Sequence, residues 1–316
     1  MTEPINGKKH MIVYNARTLE GVTAAAILNS AIKDATLTPI EKGVEFNPSA
    51  AKQYGIIHLV DWELEVDTFK EIHQDVIVLI YSENTEYKDL LAKEGISFLD
   101  ISDAQGEGGP IILAWKHAKD EEIPATVSAL SKFILDEHID NVEAYQYGMR
   151  LFPTDPSNGE FWDEVFTGGA EYYQHVAYLG SMFIKKQRNN DARLCRVGAF
   201  YTEIDGRPAV AVNQLLATSS FFESVYDPEH HDIMIGFAFS KGFWVISMFT
   251  EKDDIDLRPI AEKFNALPSS LRNLKNAAGF NCFQLPFGFP KAKQAGPIEA
   301  SQVDSAEADG LEVSDE

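Results

Sequence analysis

The chain has 316 residues, of which 45% are hydrophobic and 11% aromatic, and its formal net charge is −22. This length suits two compact domains, and the charge argues against a protein that holds long duplex DNA, because such proteins need many basic side chains along the phosphates. No apolar stretch approaches the roughly 20 residues of a membrane-spanning helix, and the polar amino terminus lacks the apolar core of a signal peptide. We therefore expect a cytoplasmic protein with no membrane partner.

The two cysteines, Cys195 and Cys282, are far apart in the sequence and have neither CxxC spacing nor a histidine cluster beside them. A disulfide framework or a zinc site is therefore not indicated. We expect both cysteines to be buried as small apolar residues.

Short apolar runs alternate with helical patterns over the first third of the chain. The runs that predict strands are 11–14, 36–41, 54–61, 75–81 and 96–100. The patterns that predict helices are 21–28, 67–74, 85–94, 110–117 and 124–135. Such alternation is typical of a doubly wound, mostly parallel α/β sheet.

The middle of the chain is predicted to be helical, over 130–150 and 159–186, and it is rich in aromatic residues. We expect these aromatic side chains to pack in the core and between domains rather than to form a platform that stacks nucleic-acid bases. The hairpin pattern that follows predicts a smaller α+β module. Its predicted parts are a first hairpin with strands at 194–204 and 207–212, a second with strands at 232–240 and 243–250, a helix at 257–265 and a last strand at 281–287.

These patterns divide the chain into four parts: an α/β domain (1–145), a helical connector (146–190), an α+β domain (191–289) and an acidic tail (290–316). The segment 296–316 contains seven acidic residues and no basic one, so we expect it to be disordered. Its simplest role is to aid solubility, and mimicry of nucleic acid toward a basic partner is the alternative.

The segment 11–28 joins an apolar strand, a polar loop and a helix rich in small residues that begins near Gly21. Ligands of open α/β sheets gather at such loops. This segment resembles the first motif of the DHH phosphoesterases, in which a strand ends in a His and two Asp residues that precede Gly and an Ala-rich helix. Asn15, Thr18 and Glu20 stand at the His and Asp positions.

The sequence KNAAGF at 275–280 is similar to the closing motif of the DHHA1 domain. In active members a glycine run and a His precede the final Ala-Ala-Gly-Phe and bind the substrate phosphate, whereas this chain has Leu274 at the His position. Together the two motifs cover most of residues 11–287. The resemblance implies a substrate-binding site formed by Arg272, Lys275, Asn276 and Gly279.

Active members of this family hold two divalent cations, usually manganese, and use a metal-bound hydroxide to attack phosphorus. Asp61 keeps the second motif of the family, and Asp136 is the candidate for the fourth. No catalytic residue is assigned, because the motif positions are degenerate; these positions are Asn15, Thr18, Glu20, Tyr81, Ser82 and Glu83. The carboxylates that remain for one hard cation, unless they are merely solvated loop residues, are Glu20, Asp61, Glu83 and Asp136.

The resemblance therefore implies a catalytically impaired DHH/DHHA1 phosphoesterase-like protein. We expect it to bind a protein partner, a nucleotide or a short oligonucleotide without turnover, and to need no cofactor. One alternative is a phosphohydrolase with a remodelled carboxylate site, which would use Mg²⁺ or Mn²⁺. The other is a structural or decoy protein.

Overall fold

The computed structural model describes residues 8–41, 46–82, 84–101, 109–119, 121–131, 141–265 and 274–289. The chain forms two compact units, Met1–Ile184 and Lys185–Glu316. No helix in the described ranges is long and apolar enough to cross a membrane. The four-part domain division, with its connector at 146–190, stays a prediction.

The first unit is built on a five-stranded parallel sheet with the order β2-β1-β3-β4-β5, which confirms the predicted α/β class. Its strands are β1 (His10–Asn15), β2 (Thr36–Ile40), β3 (Ile56–Val60), β4 (Ile77–Tyr81) and β5 (Leu99–Asp100). The helices up to the end of the unit are α1 (Leu19–Ala31), α2 (Pro48–Ala51), α3 (Val66–Ile72), α4 (Thr85–Lys93), α5 (Pro110–Ala118), α6 (Ala125–Ser128), α7 (Val142–Met149), α8 (Gly159–Thr167) and the first part of α9 (Ala170–Gly198).

Both faces of the central strands β1, β3 and β4 are buried, which explains why these strands are nearly continuous apolar runs in the sequence. Ile12 and Tyr14 of β1 pack into a core that includes α1 and α5. Met11 and Val13 point the other way, into a core that includes α3 and α4. The alternation of side chains along β1 thus places one helical layer on each side of the sheet.

The strand order creates a crevice at the carboxyl end of β1. The chain leaves β1 through α1 to reach β2 on one side, and it later enters β3 on the other side of β1. The loops that follow β1 and β3 therefore diverge, and ligands of open α/β sheets bind at such a point.

The second unit contains the end of α9 and a second five-stranded sheet with the order β10-β9-β8-β7-β6, in which only the β7–β8 pair is parallel. Its further elements are β6 (Phe200–Ile204), β7 (Arg207–Asn213), β8 (Ile233–Ser240), β9 (Phe243–Phe249), α10 (Arg258–Phe264) and β10 (Ala277–Cys282). Both predicted hairpins are confirmed, and their turns, Asp205-Gly206 and Lys241-Gly242, have the positive φ angles that tight hairpin turns require.

Two predictions in the second unit are wrong. The strand expected from Leu194 is the last part of α9, because a helix directs Cys195 into the core formed with Val210 and Phe222. The last strand is β10 rather than 281–287, because Ala278, Phe280 and Cys282 alternate into the core. The AAGF sequence is therefore part of the strand and does not precede it.

Four smaller points complete the comparison with the sequence. The helix expected over 124–135 ends at Ser128, and β5 has two residues instead of the five predicted. Both cysteines are buried and form no disulfide, as predicted. The predicted disordered tail at 290–316 lies outside the described residues.

Candidate functional site

A cleft of about 620 Å³ lies at the carboxyl end of β1. Residues 17–20, from the β1–α1 loop and the first turn of α1, line one part of it, and Glu143, Gln146 and Arg150 line another. The helix α1 begins at Leu19, two residues earlier than predicted, because the Thr18 side chain caps it. The cleft thus lies at the amino end of a helix, where the partial positive charge of the peptide dipoles favours an anion.

The lining of this cleft carries charges of both signs. Arg17 and Arg150 are exposed cations, and the Arg150 guanidinium lies over the Tyr147 ring, 5.0 Å from its centroid, which limits its range of directions. Glu143 is exposed, whereas Glu20 is only 3% exposed. The arrangement suits a ligand that combines an anionic group with hydrogen-bond donors.

The Thr18 hydroxyl joins the two loops that meet in the crevice. It accepts a hydrogen bond from the Gly21 backbone N–H at 3.0 Å, and it donates one to Asp61 Oδ2. Asp61 has a left-handed backbone, with φ 48°, and its N–H donates to the Tyr81 carbonyl oxygen. The hydrogen bond between Thr18 and Asp61 therefore links the loops after β1 and β3.

Two other degenerate motif positions serve turns. The Asn15 side-chain oxygen accepts from the Arg17 N–H at 3.1 Å, and the Ser82 hydroxyl accepts from the Asn84 N–H at 3.1 Å. A glycine is required at position 21, since a Cβ there would lie 2.4 Å from the Asn15 carbonyl oxygen. These contacts shape the loops around the cleft.

Tyr81 lies in the core and belongs to a chain of hydrogen bonds. Its hydroxyl lies 3.0 Å from Nδ1 of His58, and Nε2 of His58 lies 3.0 Å from Nδ1 of His10. Burial lowers the pKa of His58 to about 3, and the nearby His10 and His117 act in the same direction. Burial also raises the pKa of Tyr81. His58 is therefore neutral in the folded protein, and Tyr81 is a structural residue.

The described residues do not fit the family's pair of divalent cations. Such a pair needs several converging carboxylates and imidazoles. Asn15, Thr18, Tyr81 and Ser82 supply an amide and three hydroxyls, and one Asp61 oxygen already accepts from Thr18. Within the described ranges, no three His, Cys, Asp or Glu side chains are placed to hold one metal ion.

Of the four carboxylates predicted for a single cation, Glu20 and Asp61 are described and both lie near the β1–α1 loop. Glu83 and Asp136 lie outside the described residues. The four-carboxylate site therefore stays a prediction.

The residues predicted to bind substrate lie at and before β10. Lys275 and Asn276 are exposed, and the Lys275 ammonium donates to the Asp253 carbonyl oxygen. Gly279 is buried within β10, opposite Ser247 of β9. Arg272 lies outside the described residues. Their role in binding stays a prediction.

Sequence reasoning missed several residues of this region. Arg17 stands in the loop that we singled out, and its cationic side chain was a usable signal. Gln146 and Arg150 come from a helix more than a hundred residues later, and no motif connects them to the loop. His58 lies within an apolar strand pattern, which gives no signal that distinguishes a buried histidine from an apolar residue.

Comparison with known proteins gives no matching family model and no match among curated proteins. Solved structures that resemble the chain include the pGpG-specific phosphodiesterase PggH of Vibrio cholerae, at 9% identity over 87% of this chain and 93% of that one, with a TM-score of 0.42. Another is a DHH-domain member of the S1p family of ribosomal proteins, at 12% identity over 81% and 78%, with a TM-score of 0.41. A third is RecJ of Thermus thermophilus in complex with Mg²⁺, at 13% identity over 87% and 47%, with a TM-score of 0.39.

A DHH-domain protein is thus among the structural neighbours, as the sequence motifs led us to expect. With TM-scores near 0.4 and identities of 13% or less, these likenesses say nothing about what this chain binds or catalyses.

Proposed function

We propose that this chain is a catalytically impaired DHH/DHHA1 phosphoesterase-like protein that acts by binding. Its ligand is a nucleotide, a short oligonucleotide or a protein partner, and the chain does not turn it over. The observation that carries this proposal is the hydrogen bond from Thr18 to Asp61. It occupies an oxygen of Asp61, the carboxylate that keeps the second motif, and its donor, Thr18, stands at another expected metal position.

The side chains at the remaining motif positions also support the proposed loss of catalysis. A metal-bound hydroxide supplies most of the rate of a two-metal hydrolase, and its first ligand shell acts as a unit. Amide and hydroxyl side chains that are engaged in turns and caps bind divalent cations far more weakly than carboxylates and imidazoles. Loss of that shell should cost several powers of ten in rate.

The cleft favours a nucleotide over the other ligands. Its volume of about 620 Å³ suits a small molecule. Arg17 and Arg150 offer two guanidinium groups to a phosphate near the amino end of α1, and Gln146, whose Nε2 donates to the Ala129 carbonyl oxygen, offers its side-chain oxygen to the donors of a nucleobase. These features together match an anion with a polar heterocycle.

One observation favours a second function, a metal-dependent phosphohydrolase with a remodelled site. Glu20 is a carboxylate with only 3% of its surface exposed, and it lines the cleft. With Asp61, Glu83 and Asp136 it would supply oxygen ligands to one Mg²⁺ or Mn²⁺ ion.

Hydrolysis assays with purified protein separate the two functions. We expect no manganese-dependent release of mononucleotide from short oligonucleotides and no hydrolysis of cyclic dinucleotides, across a titration of Mn²⁺ and Mg²⁺. The Glu20→Ala, Asp61→Ala double variant is the blank. Turnover that disappears in this variant would establish the second function, and turnover that persists in it comes from a contaminant.

Calorimetric titration with the dinucleotide pdApdA tests the binding function. We expect the Arg17→Gln, Arg150→Gln double variant to bind at least tenfold more weakly than the unchanged chain, because two charge-assisted contacts to phosphate are lost. A Lys33→Gln, Lys93→Gln variant, which removes two exposed cations elsewhere in the same unit, should bind normally. Equal affinity in all three proteins would contradict a nucleotide site in the cleft.

A further inference from the structure

The second half of α9 is basic, although the chain as a whole carries a net charge of −22. Between 185 and 196 there is one acidic residue, Asp191, and the basic residues are Lys185, Lys186, Arg188, Arg193 and Arg196. This local excess of positive charge lies in the second unit, whereas Arg17 and Arg150 of the cleft belong to the first.

Four of these cations share one side of the helix. At 3.6 residues per turn, Lys185, Lys186, Arg193 and Arg196 fall within an arc of about 100° and span about 16 Å along the axis. All four are exposed, whereas Cys195, about 130° around the helix from the centre of this arc, is buried. We call these four residues the basic face.

The basic face has no counter-charge in the described part of the chain. Arg188, which lies off this arc, is 3.5 Å from Glu223, but no described carboxylate forms an ion pair with the four residues of the face. Four like charges so close together repel one another, and an anionic partner would relieve that repulsion.

The acidic end of the same chain has the opposite charge. The segment 299–316 carries no basic residue, and its acidic residues are Glu299, Asp304, Glu307, Asp309, Glu312, Asp315 and Glu316. With seven carboxylates it can more than neutralise the four cations of the face.

The last residues that the structure describes before this segment lie close to the end of α9. The Phe289 ring lies 5.4 Å from the ring of Phe200, which is two residues beyond the last residue of the helix. The Gly288 carbonyl oxygen accepts from the Thr202 hydroxyl at 3.0 Å. Since an extended chain covers about 3.3 Å per residue, the residues between 289 and 299 reach further than the length of the basic face.

We propose that the acidic segment 299–316 folds back onto the basic face of α9 and acts as a built-in competitor for polyanions. Tethering favours this segment over a separate nucleic acid, since a short linker gives an effective concentration in the millimolar range. The strongly negative charge of the whole chain also repels a free polyanion. This surface is independent of the nucleotide cleft.

Carbodiimide cross-linking of the full chain tests the contact directly. At 20 mM NaCl we expect Lys185 and Lys186 to be linked to carboxylates of 299–316 within a monomer, as read by mass spectrometry of the monomer band. At 1 M NaCl the links should disappear, because the screening length falls to about 3 Å. Links from the tail to Lys33, Lys52 or Lys93 instead, or no links at either salt concentration, would overturn the proposal.

Binding of a fluorescent 12-nucleotide oligothymidylate tests the competition. The variant chain keeps its full length and replaces the seven carboxylates by amides: Glu299→Gln, Asp304→Asn, Glu307→Gln, Asp309→Asn, Glu312→Gln, Asp315→Asn and Glu316→Gln. At 50 mM NaCl we expect it to bind at least tenfold more tightly than the unchanged chain, by fluorescence anisotropy. Equal affinity of the two chains, whether tight or absent, would overturn the proposal.

A second pair of variants identifies the surface that is responsible for the tighter binding of oligothymidylate. Replacement of Lys185, Lys186, Arg193 and Arg196 by Gln in the amide variant should remove it. Replacement of four other exposed cations by Gln should leave it in place; these are Lys33, Lys52, Lys93 and Lys241. The Arg17→Gln, Arg150→Gln change should also leave it in place, so failure of the tail proposal and failure of the nucleotide cleft give different results.

Discussion

A single hydroxyl, that of Thr18, links the loops that follow β1 and β3. It caps α1 through the Gly21 N–H and donates to Asp61 across the crevice. An Asp at this position, as in the active DHH pattern, would also cap the helix, but it would set two carboxylates side by side. That arrangement needs a cation between them, whereas Thr18 supplies a neutral donor.

The Thr18→Asp variant tests this interpretation. We expect it to be less stable than the Thr18→Asn variant by about 1–2 kcal/mol at pH 7, because both side chains cap the helix and only Asp repels Asp61. The difference should shrink toward pH 4, because protonation of either carboxyl group removes the repulsion. Urea unfolding of both variants at pH 7 and pH 4 measures it. Equal stability at pH 7 would show that residue 18 does not face Asp61.

At the scale of the element, three strands contribute side chains to one hydrogen-bond network inside an apolar sheet. His10 of β1, His58 of β3 and Tyr81 of β4 are joined by hydrogen bonds, and His117 of α5 contacts the rings of His58 and Tyr81. No carboxylate contributes to the pKa shift of His58. Burial without a contributing carboxylate therefore favours the neutral imidazole of His58.

The buried His58 should make the stability of the first unit sensitive to acid. The folded protein holds the pKa of His58 near 3, against about 6.5 when the chain unfolds. His58 does not reduce the stability of the fold above about pH 6.5. The stability decreases as the pH falls from there toward 3, because only the unfolded polypeptide then binds the proton. By pH 5 the loss from His58 should be about 2 kcal/mol.

Urea unfolding at pH 7 and pH 5 measures this loss through the fluorescence of Trp62, Trp115 and Trp162. The His58→Leu variant should lose less stability over this range than the unchanged chain does. The His175→Leu variant, which alters an exposed histidine, should lose as much as the unchanged chain. The same pH dependence in all three proteins would contradict a buried neutral His58.

The crossing of α7 and α9 depends on two glycines. A Cβ on Gly180 would lie 1.7 Å from the Ala144 carbonyl oxygen, and one on Gly148 would lie 2.0 Å from the Val176 carbonyl oxygen. The backbones of the two helices can approach this closely only because neither residue has a side chain.

Gly180→Ala should therefore destabilise the first unit by more than 2 kcal/mol, since the helices must separate and leave voids. Gly159→Ala is the matched control, because it lies in α8 with open space around the added methyl group and should be neutral or slightly stabilising. Thermal unfolding followed by circular dichroism compares them. A Gly180→Ala variant as stable as the control would show that the helices do not cross at this point.

The sequence predicted most elements because their apolar periods are unambiguous, as in β1 and β4. The errors arose where two periods fit the same residues. Around Cys195 the apolar positions suit both a strand and a helix, and contacts with Val210 and Phe222 decide for the helix. The last strand was predicted too late in the sequence, because AAGF at 277–280 was interpreted as a motif that precedes a strand.

The site was predictable in part for a similar reason. Asn15, Thr18 and Asp61 follow the carboxyl ends of two strands, and parallel strands bring such residues to one edge of a sheet. The burial of Tyr81 follows from its side-chain alternation with Leu79. Arg150 reaches the cleft through the packing of α7, which depends on contacts between residues far apart in sequence.

At the scale of the whole molecule, the charge is distributed unevenly. The net charge of −22 includes a carboxyl-terminal segment with seven carboxylates, while one side of α9 carries four unpaired cations within the described ranges. An electrostatic contact between exposed groups contributes at most about 1 kcal/mol per ion pair and is screened by salt. The tail can therefore cover a surface without supporting the fold.

A chain that ends at Pro290 should keep its thermal stability. It retains Phe287, which is 8% exposed and contacts Phe237, and it retains Phe289 beside Phe200. In 150 mM NaCl we expect its unfolding midpoint to lie within about 5 °C of that of the full chain, because only exposed ionic contacts are lost. A chain that ends at Cys282 is the matched control, and it should melt more than 5 °C lower, because the aromatic side chains that close the core of the second unit are gone. If the Pro290 chain melted as low as this control, the tail would have to pack on the body through buried apolar contacts, and a purely electrostatic fold-back onto α9 would be wrong.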